Sequence, residues 1–213
     1  MPAAARPALH PRKTPLQARS AVTVDAILDA TIQVLVACGK ERLTTTLVAR
    51  RAGVSVGTLY QYFPNKSALL QGALRRHMEE VRFAVDNACE QHRGMGLVEM
   101  STALIDAFLA AKMRSVKTSA ALYAVSSDID GAAIARAIGS RTHRSVAALF
   151  ATAREGLKKD PEVVASVVQA ALNGISRRVL EAKSPETEVD LLREELNLMI
   201  HAYLRTCAGS SPA

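Results

Sequence analysis

The sequence contains no tryptophan, and aromatic residues make up only 4% of its 213 positions. A core must therefore be built from Leu, Val, Ile and Ala, side chains that interlock well between helices. Cysteine is scarce too. Cys38, Cys89 and Cys207 are odd in number, far apart and outside any CxxC spacing, which excludes a disulfide framework or a zinc cluster. They read as reduced thiols that fill small gaps in a core. No run approaches the ~20 uninterrupted apolar residues of a membrane span, and the amino end lacks the apolar stretch of a secretory leader. These absences point to a soluble, cytoplasmic protein with no membrane partner.

Enzyme signatures are missing as well. No GxSxG, HExxH, P-loop or GxGxxG string stands in the context that its chemistry needs, so no catalytic residue and no cofactor is expected. Asp128 and Asp130 are paired carboxylates where a helix begins, and interaction with the helix dipole accounts for them. His77, His92, His143 and His201 show no ligand spacing, so no metal site is expected.

What is present is a globular composition, 49% hydrophobic and 22% charged, with a net charge of +7. Residues 1–66 hold nine bases against three acids, while the rest is nearly balanced at eighteen to seventeen. A basic end on a neutral body suggests that this end meets a polyanion; composition alone leaves open a surface made basic for solubility.

Pro2, Pro7, Pro11 and Pro15 make residues 1–20 a flexible basic arm. Helical periodicity then takes over. Val24, Ile27, Leu28, Thr31, Val34, Leu35 and Cys38 share one face of a first helix that Gly39 ends. Thr44 and Thr45 offer a cap for a short helix over 45–52, Gly53 supplies a turn with positive φ, Ser55 can cap a helix over 56–63, and Pro64 stops it. Asn65 can cap a long helix from Lys66 to about His92. Further helices are expected at 97–113, 116–125, 130–157, 161–182 and 187–206. Ser126, Ser127 and Asp128 look like a cap cluster, Pro161 suits a first helical turn, and Pro185 marks the last interhelical turn. No stretch alternates with period two. The fold class is all-α.

The informative segment is TTTLVARRAGVSVGTLYQYFPNK, Thr44 to Lys66. Two short helices meet at Gly53, and Ala49, Val54 and Leu59 are spaced to fix their crossing. That is what a helix-turn-helix requires, with one helix bracing and the second entering the major groove. The outward side of the second helix is then Val56, Gly57, Thr58, Gln61 and Tyr62.

On these residues the run from Ala21 to Val81 resembles the DNA-binding domain of TetR-type transcriptional regulators. AGVSVGTLYQYFPNKSALL (Ala52–Leu70) and ILDATIQVLVACG (Ile27–Gly39) carry the likeness. The resemblance implies a helix-turn-helix domain over 21–81 with its motif at 44–63. It implies a regulatory and dimerisation domain over 82–207, a disordered tail over 208–213, and about nine helices in all. It also implies DNA-binding roles for Thr45, Thr46, Ser55, Val56, Gly57, Thr58, Tyr60, Gln61, Tyr62 and Lys66. Thr45, Tyr60, Tyr62 and Lys66 would meet phosphates, helped by the amino end of the helix at Lys66. Val56 or Thr58 could pack on a thymine methyl, and Gln61 has the amide geometry to read adenine. TetR-like proteins often place Arg or Lys among the base-facing positions, and none stands there in this sequence. Arg12, Lys13 and Arg19 either reach a minor groove or remain a solvated tail.

Beyond that domain, Leu192, Leu196, Met199 and Tyr203 repeat at 4-3-4 spacing, and the preceding helix carries Val164, Val168, Ala171 and Ile175. The resemblance implies that these two helices pair with a second copy, so a homodimer on a palindromic operator is expected. Met100, Leu104, Phe108, Met113, Tyr123, Ile138 and Phe150 are candidates for the wall of a pocket that takes a small, mainly apolar or amphipathic effector. The expectation is a repressor released by that effector. An activator or a ligand-independent regulator of the same build is a second reading, and a helical ligand carrier or enzyme a third.

Overall fold

The structure of the chain, a computed structural model, describes residues 15–182 and 184–209. Among the described residues there are nine α-helices: α1 (Pro15–Arg42), α2 (Thr45–Ala52), α3 (Val56–Tyr62), α4 (Lys66–Gln91), α5 (Leu97–Met113), α6 (Val116–Val125), α7 (Gly131–Phe150), α8 (Pro161–Leu180) and α9 (Pro185–Cys207). A 3-10 turn, Ser126–Ile129, precedes α7, and the only strand-like pairing described joins Leu157 to Ala208. The helices form two compact units, one ending at Leu69 and the other beginning at Leu70. The division falls inside α4, ahead of the boundary expected after Val81.

In the first unit α1 packs on α2, burying Ile27, Leu28, Ala30, Thr31 and Leu35. The Thr31 hydroxyl donates to the Ile27 carbonyl at 2.7 Å, so its burial leaves no polar group unpaired. The Ser20–Arg42 stretch is long and apolar enough to cross a membrane by length and composition alone. Here one side of it is packed against the unit's own core. Regular α1 geometry breaks at Gly39, whose φ of 75° is left-handed. At the other end the helix begins at Pro15, not Ala21: a proline in the first turn gives up an amide that has no helical partner anyway. Of the expected arm, residues 15–20 are therefore helical, and Arg12 and Lys13 lie outside the described residues.

The second unit is built around α5, which buries Leu97, Met100, Leu104, Ile105, Phe108 and Leu109 and packs on α6, α7, α8 and α9. With so few aromatics the interior is aliphatic, and Cys89 and Cys207 fill places in it. Burial pushes the Cys89 thiol up to about 12, so it stays protonated and inert.

The helix expected over 130–157 ends at Phe150. Beyond it the chain turns back to bind two other segments: Arg154 N–H donates to the Met95 carbonyl at 2.9 Å, and the Glu155 carboxylate accepts the Leu97 amide at 3.1 Å. Gly156, at φ 65°, then allows Lys158 N–H to reach the Cys207 carbonyl and Gly209 N–H to reach the Gly156 carbonyl. Ala208 and Gly209 are thus held, not part of a loose tail, while residues 210–213 lie outside the described residues. The serines expected to cap the next helix form the 3-10 turn instead, and Asp130 in the left-handed region leads into Gly131. A Cβ on Gly131 would sit 2.6 Å from the Ser126 carbonyl oxygen. Pro185 stands in the first turn of α9, which starts two residues before the expected 187.

The turn between α2 and α3 rests on Gly53, at φ 69° and ψ 27°. Gly53→Ala should lower the stability of the first unit by about 1 kcal/mol, read as an earlier urea midpoint with an unchanged slope.

Candidate nucleic-acid interface and internal cavity

α2 starts at Thr44, whose hydroxyl accepts the Leu47 amide at 3.2 Å, and ends in a Schellman turn. There Val54 N–H donates to the Ala49 carbonyl at 3.0 Å and Gly53 N–H to the Arg50 carbonyl at 3.3 Å. Ser55 then caps α3, its Oγ accepting the Thr58 amide at 2.9 Å. Leu59 is fully buried, as are Val48 and Ala49 on α2. This fixes which way α3 faces: Val56, Gly57, Tyr60 and Gln61 are exposed, and Thr58 and Tyr62 half-buried. A Cβ on Gly57 would meet nothing closer than Ser55 Oγ at 3.7 Å, so the protein's own packing does not demand a glycine there.

Thr45 and Tyr60 come together, their hydroxyls 3.1 Å apart, tying the start of α2 to the middle of α3. Thr46 is exposed beside them. Lys66 is placed otherwise than expected, because its ammonium donates to the Lys40 carbonyl at 2.5 Å, binding the start of α4 to the kinked end of α1. Asn65 takes the Ala68 amide at 2.8 Å, so part of the amino end of α4 is occupied as well. Positive charge at this unit comes also from Arg42, Arg50 and Arg51, all exposed. Between Glu41 and Glu79 the chain has no acidic residue at all, so no carboxylate of that stretch opposes a polyanion.

The second unit holds a cavity of about 540 Å³ among α4, α5, α6, α7 and α8. Of the seven pocket candidates, Phe108, Tyr123 and Ile138 line it. Met100, Leu104 and Phe150 do not; they are fully buried in the aliphatic core. Met113 is half-buried and off the wall. Sequence reasoning missed His77, Arg82, Lys112, Ser119 and Arg177 in the polar part of the wall, because they come from four different helices and no local spacing links them. The Ser119 hydroxyl donates to the Lys112 carbonyl at 2.6 Å and so has no proton left for His77, whose Nε2 lies 3.1 Å away. His77 must therefore donate through Nε2–H.

Of the eight dimer candidates, Val164, Val168 and Leu196 are buried in the unit's own core. Ala171, Ile175 and Tyr203 pack half-buried against that core, and Leu192 is half-buried. Met199 alone is exposed, at 51%. The outward apolar stripe is rotated from the expected one. On α8 it runs through Val163, Val167, Ala170 and Gly174, and on α9 through Leu191 and Leu198, each 61% exposed. Both sides of these helices carry apolar residues, and periodicity finds a stripe without saying which side faces in.

The chain matches the model described as bacterial regulatory proteins, tetR family, over residues 27–73, and that described as tetracyclin repressor-like, C-terminal domain, over residues 97–204. It is 47% identical over 62 residues to the HTH-type transcriptional repressor KstR of Mycolicibacterium smegmatis, a stretch making up 29% of this chain and 30% of that one. It is 38% identical over 61 residues to the HTH-type transcriptional regulator BetI of Escherichia coli, 29% of this chain and 31% of that one. The alignments thus span under a third of these relatives. Among solved structures, the chain is similar to the fatty acid degradation regulator FadR from Bacillus halodurans, with a TM-score of 0.69 at 18% identity over 92% of this chain and 99% of that one. It is also similar to the TetR family repressor AlkX from Dietzia sp. strain DQ12-45-1b, with a TM-score of 0.59 at 19% identity over 89% and 98%. At these identities the likeness is one of fold.

Burial, and after it the Lys112 and Arg114 cations, pull His77 down to about 4. An unfolded histidine titrates near 6.5, so between those values the unfolded chain binds the extra proton. The contribution of His77 to stability is complete above about pH 6.5 and is lost as the pH falls toward 4. Unfolding free energy should drop by about 2 kcal/mol from this group between pH 7 and pH 4.5, and His77→Gln should flatten the curve in that window.

Proposed function

The chain belongs to the tetR family of bacterial regulatory proteins, and from that premise we propose that it is a homodimeric repressor which reads a palindromic operator and leaves it when a small, mainly apolar effector enters the cavity of the second unit. The observation that carries this reading is the outward face of α3. A seven-residue helix is held in place by a buried leucine, a cap and a left-handed glycine, and it offers Val56, Gly57, Tyr60 and Gln61 to solvent. An ordinary surface helix has no need of such anchoring. A short helix that must keep its register against an external partner does.

On this reading Gln61 reads a base edge, and Val56 and Thr58 lend apolar contact to a thymine methyl. Thr45, Thr46, Ser55, Tyr60 and Tyr62 hold the phosphates, together with Arg42, Arg50 and Arg51. With no cation among the base-facing side chains, much of the affinity is electrostatic and independent of sequence. Two copies joined along the outward stripe of α8 and α9 present two reading helices, which is what a twofold operator requires. The relatives described as repressors support repression over activation. The effector acts by favouring a form of the dimer whose reading helices no longer match the operator.

Selection of bound DNA from a random pool tests the whole: a palindromic consensus is expected, and no enrichment would end the reading. On the selected site, Gln61→Ala should relax preference at one position of each half-site and cost roughly 1–3 kcal/mol there. Tyr60→Ala should weaken binding to all sequences alike. Each phosphate contact should add roughly 0.9 to the slope of log affinity against log salt. Leu198→Glu, a charge on the outward stripe, should convert dimer to monomer in sedimentation and reduce operator affinity with it, leaving helicity unchanged.

A further inference from the structure

The cavity wall is chemically lopsided. Among the described residues its lining includes three cations, Arg82, Lys112 and Arg177, and no aspartate or glutamate. Two of the cations are already answered. Arg82 is paired with Glu79 and Asp86, and Arg177 with Glu181 at 3.0 Å while its guanidinium lies 5.9 Å from the centre of the Tyr123 ring. Lys112, in the last turn of α5, is different. Among the described residues it has no ion pair, and its nearest ring partner is Phe108, with the ammonium 6.0 Å from the centroid. His77 offers it no counter-charge, being neutral and committed through Nε2–H to Ser119.

A cation held in apolar surroundings without a partner is unfavourable, and burial alone draws Lys112 below its ordinary value. The lysine is therefore poised for a negative group brought in from outside. The rest of the wall sets the remainder of the ligand: Leu74, Met78, Val81, Leu122 and Ile138 make its body apolar. The volume of about 540 Å³ is that of an ordinary small-molecule pocket.

We propose that the cavity binds an amphipathic organic carboxylate, with the head group on the Lys112 ammonium and an aliphatic body along the apolar wall. This deepens the effector reading and rests on the cavity being the effector site. A neighbouring hollow lined by Arg76, Glu79, Glu80, Arg82, Phe83 and Arg114 makes a contrast. There Glu79 pairs with Arg82 and Arg141, and Glu80 with Arg76 and Arg114, so each cation of that hollow already has a carboxylate partner.

Three probes with one chain and different heads decide it: dodecanoate, dodecanol and dodecylamine, titrated calorimetrically into the full chain. Dodecanoate should bind about tenfold more tightly than dodecanol or better, and dodecylamine most weakly. Lys112→Met should erase the preference for dodecanoate while leaving dodecanol binding within about twofold, and Lys112→Arg should keep most of it. The thermal midpoint of unliganded Lys112→Met should equal or exceed the parent's, since a half-buried charge without an ion pair has gone. Were that variant not to fold, the order of the three probes on the parent and on Lys112→Arg decides. Equal binding of dodecanoate and dodecanol, or a preference that survives Lys112→Met, overturns the proposal and leaves the cavity as an apolar effector site. Binding of none of the three overturns it together with the effector reading, while operator selection still judges the DNA-binding reading separately.

Discussion

The burial of Leu59 is the constraint on which the reading face depends. A helix of seven residues is far below the length at which a helix persists in water, so α3 exists only because something outside it holds it. Burying a leucine contributes on the order of 2 kcal/mol, and here that leucine meets a helix whose Val48 and Ala49 are equally buried. The Schellman turn at Gly53 and the Ser55 cap use the amides and carbonyls that a short helix otherwise leaves open. Rotating α3 by one residue would expose Leu59 and bury Tyr60 or Thr58 in its place. The outward identity of Gln61 and Gly57 is thus a consequence of what lies beneath them.

The second unit answers a different problem. An interior almost without aromatics has to be filled by many small aliphatic contacts, and α5 supplies them by being apolar on nearly every side. Polar groups stand along one side of it, where Thr102 meets His201 and Asp106 pairs with Arg193, and at its carboxyl end. There Lys112 lies in the last turn, its carbonyl takes the Ser119 hydroxyl proton, and Ser119 in turn accepts from His77. This chain of hydrogen bonds joins α4, α5 and α6 at the rim of the cavity. It satisfies the neutral members and leaves the Lys112 ammonium, among the described residues, as the wall cation without an ion pair.

Much of this was legible in the sequence because it is local. Gly39 and Gly53 stand where the backbone turns with positive φ, Thr44, Ser55 and Asn65 cap helices, Pro161 stands in a first helical turn, and α2, α5 and α6 have the expected bounds. What escaped depends on contacts between distant residues. The segment after Phe150 has helical composition, yet Glu155 is drawn to the Leu97 amide and Lys158 to the Cys207 carbonyl, partners that no window of sequence contains. The apolar stripes of α8 and α9 were visible, but both sides of each helix carry apolar residues, and only packing says that Val164 and Leu196 face in while Val167 and Leu198 face out. In the same way Met100 and Phe150 look no different from Phe108 until the void is located.

α4 is where these two halves of the chemistry share one piece of backbone. Its first turn belongs to the first unit, where Asn65 caps it and Lys66 is bound to the Lys40 carbonyl. Farther along, Leu74, His77, Met78, Val81, Arg82 and Val85 of the same helix line the cavity. A ligand that merely fills the void equally well in two positions of α4 changes nothing, however tightly it binds. To act through this helix it must favour one position over the other. A charged head on Lys112 gives it the means, because the lysine is on α5 while its hydrogen-bonded neighbour His77 is on α4. An apolar tail grips both helices without distinguishing their positions; a directional contact at that corner does distinguish them, and that difference is the free energy a regulator of this build has to work with.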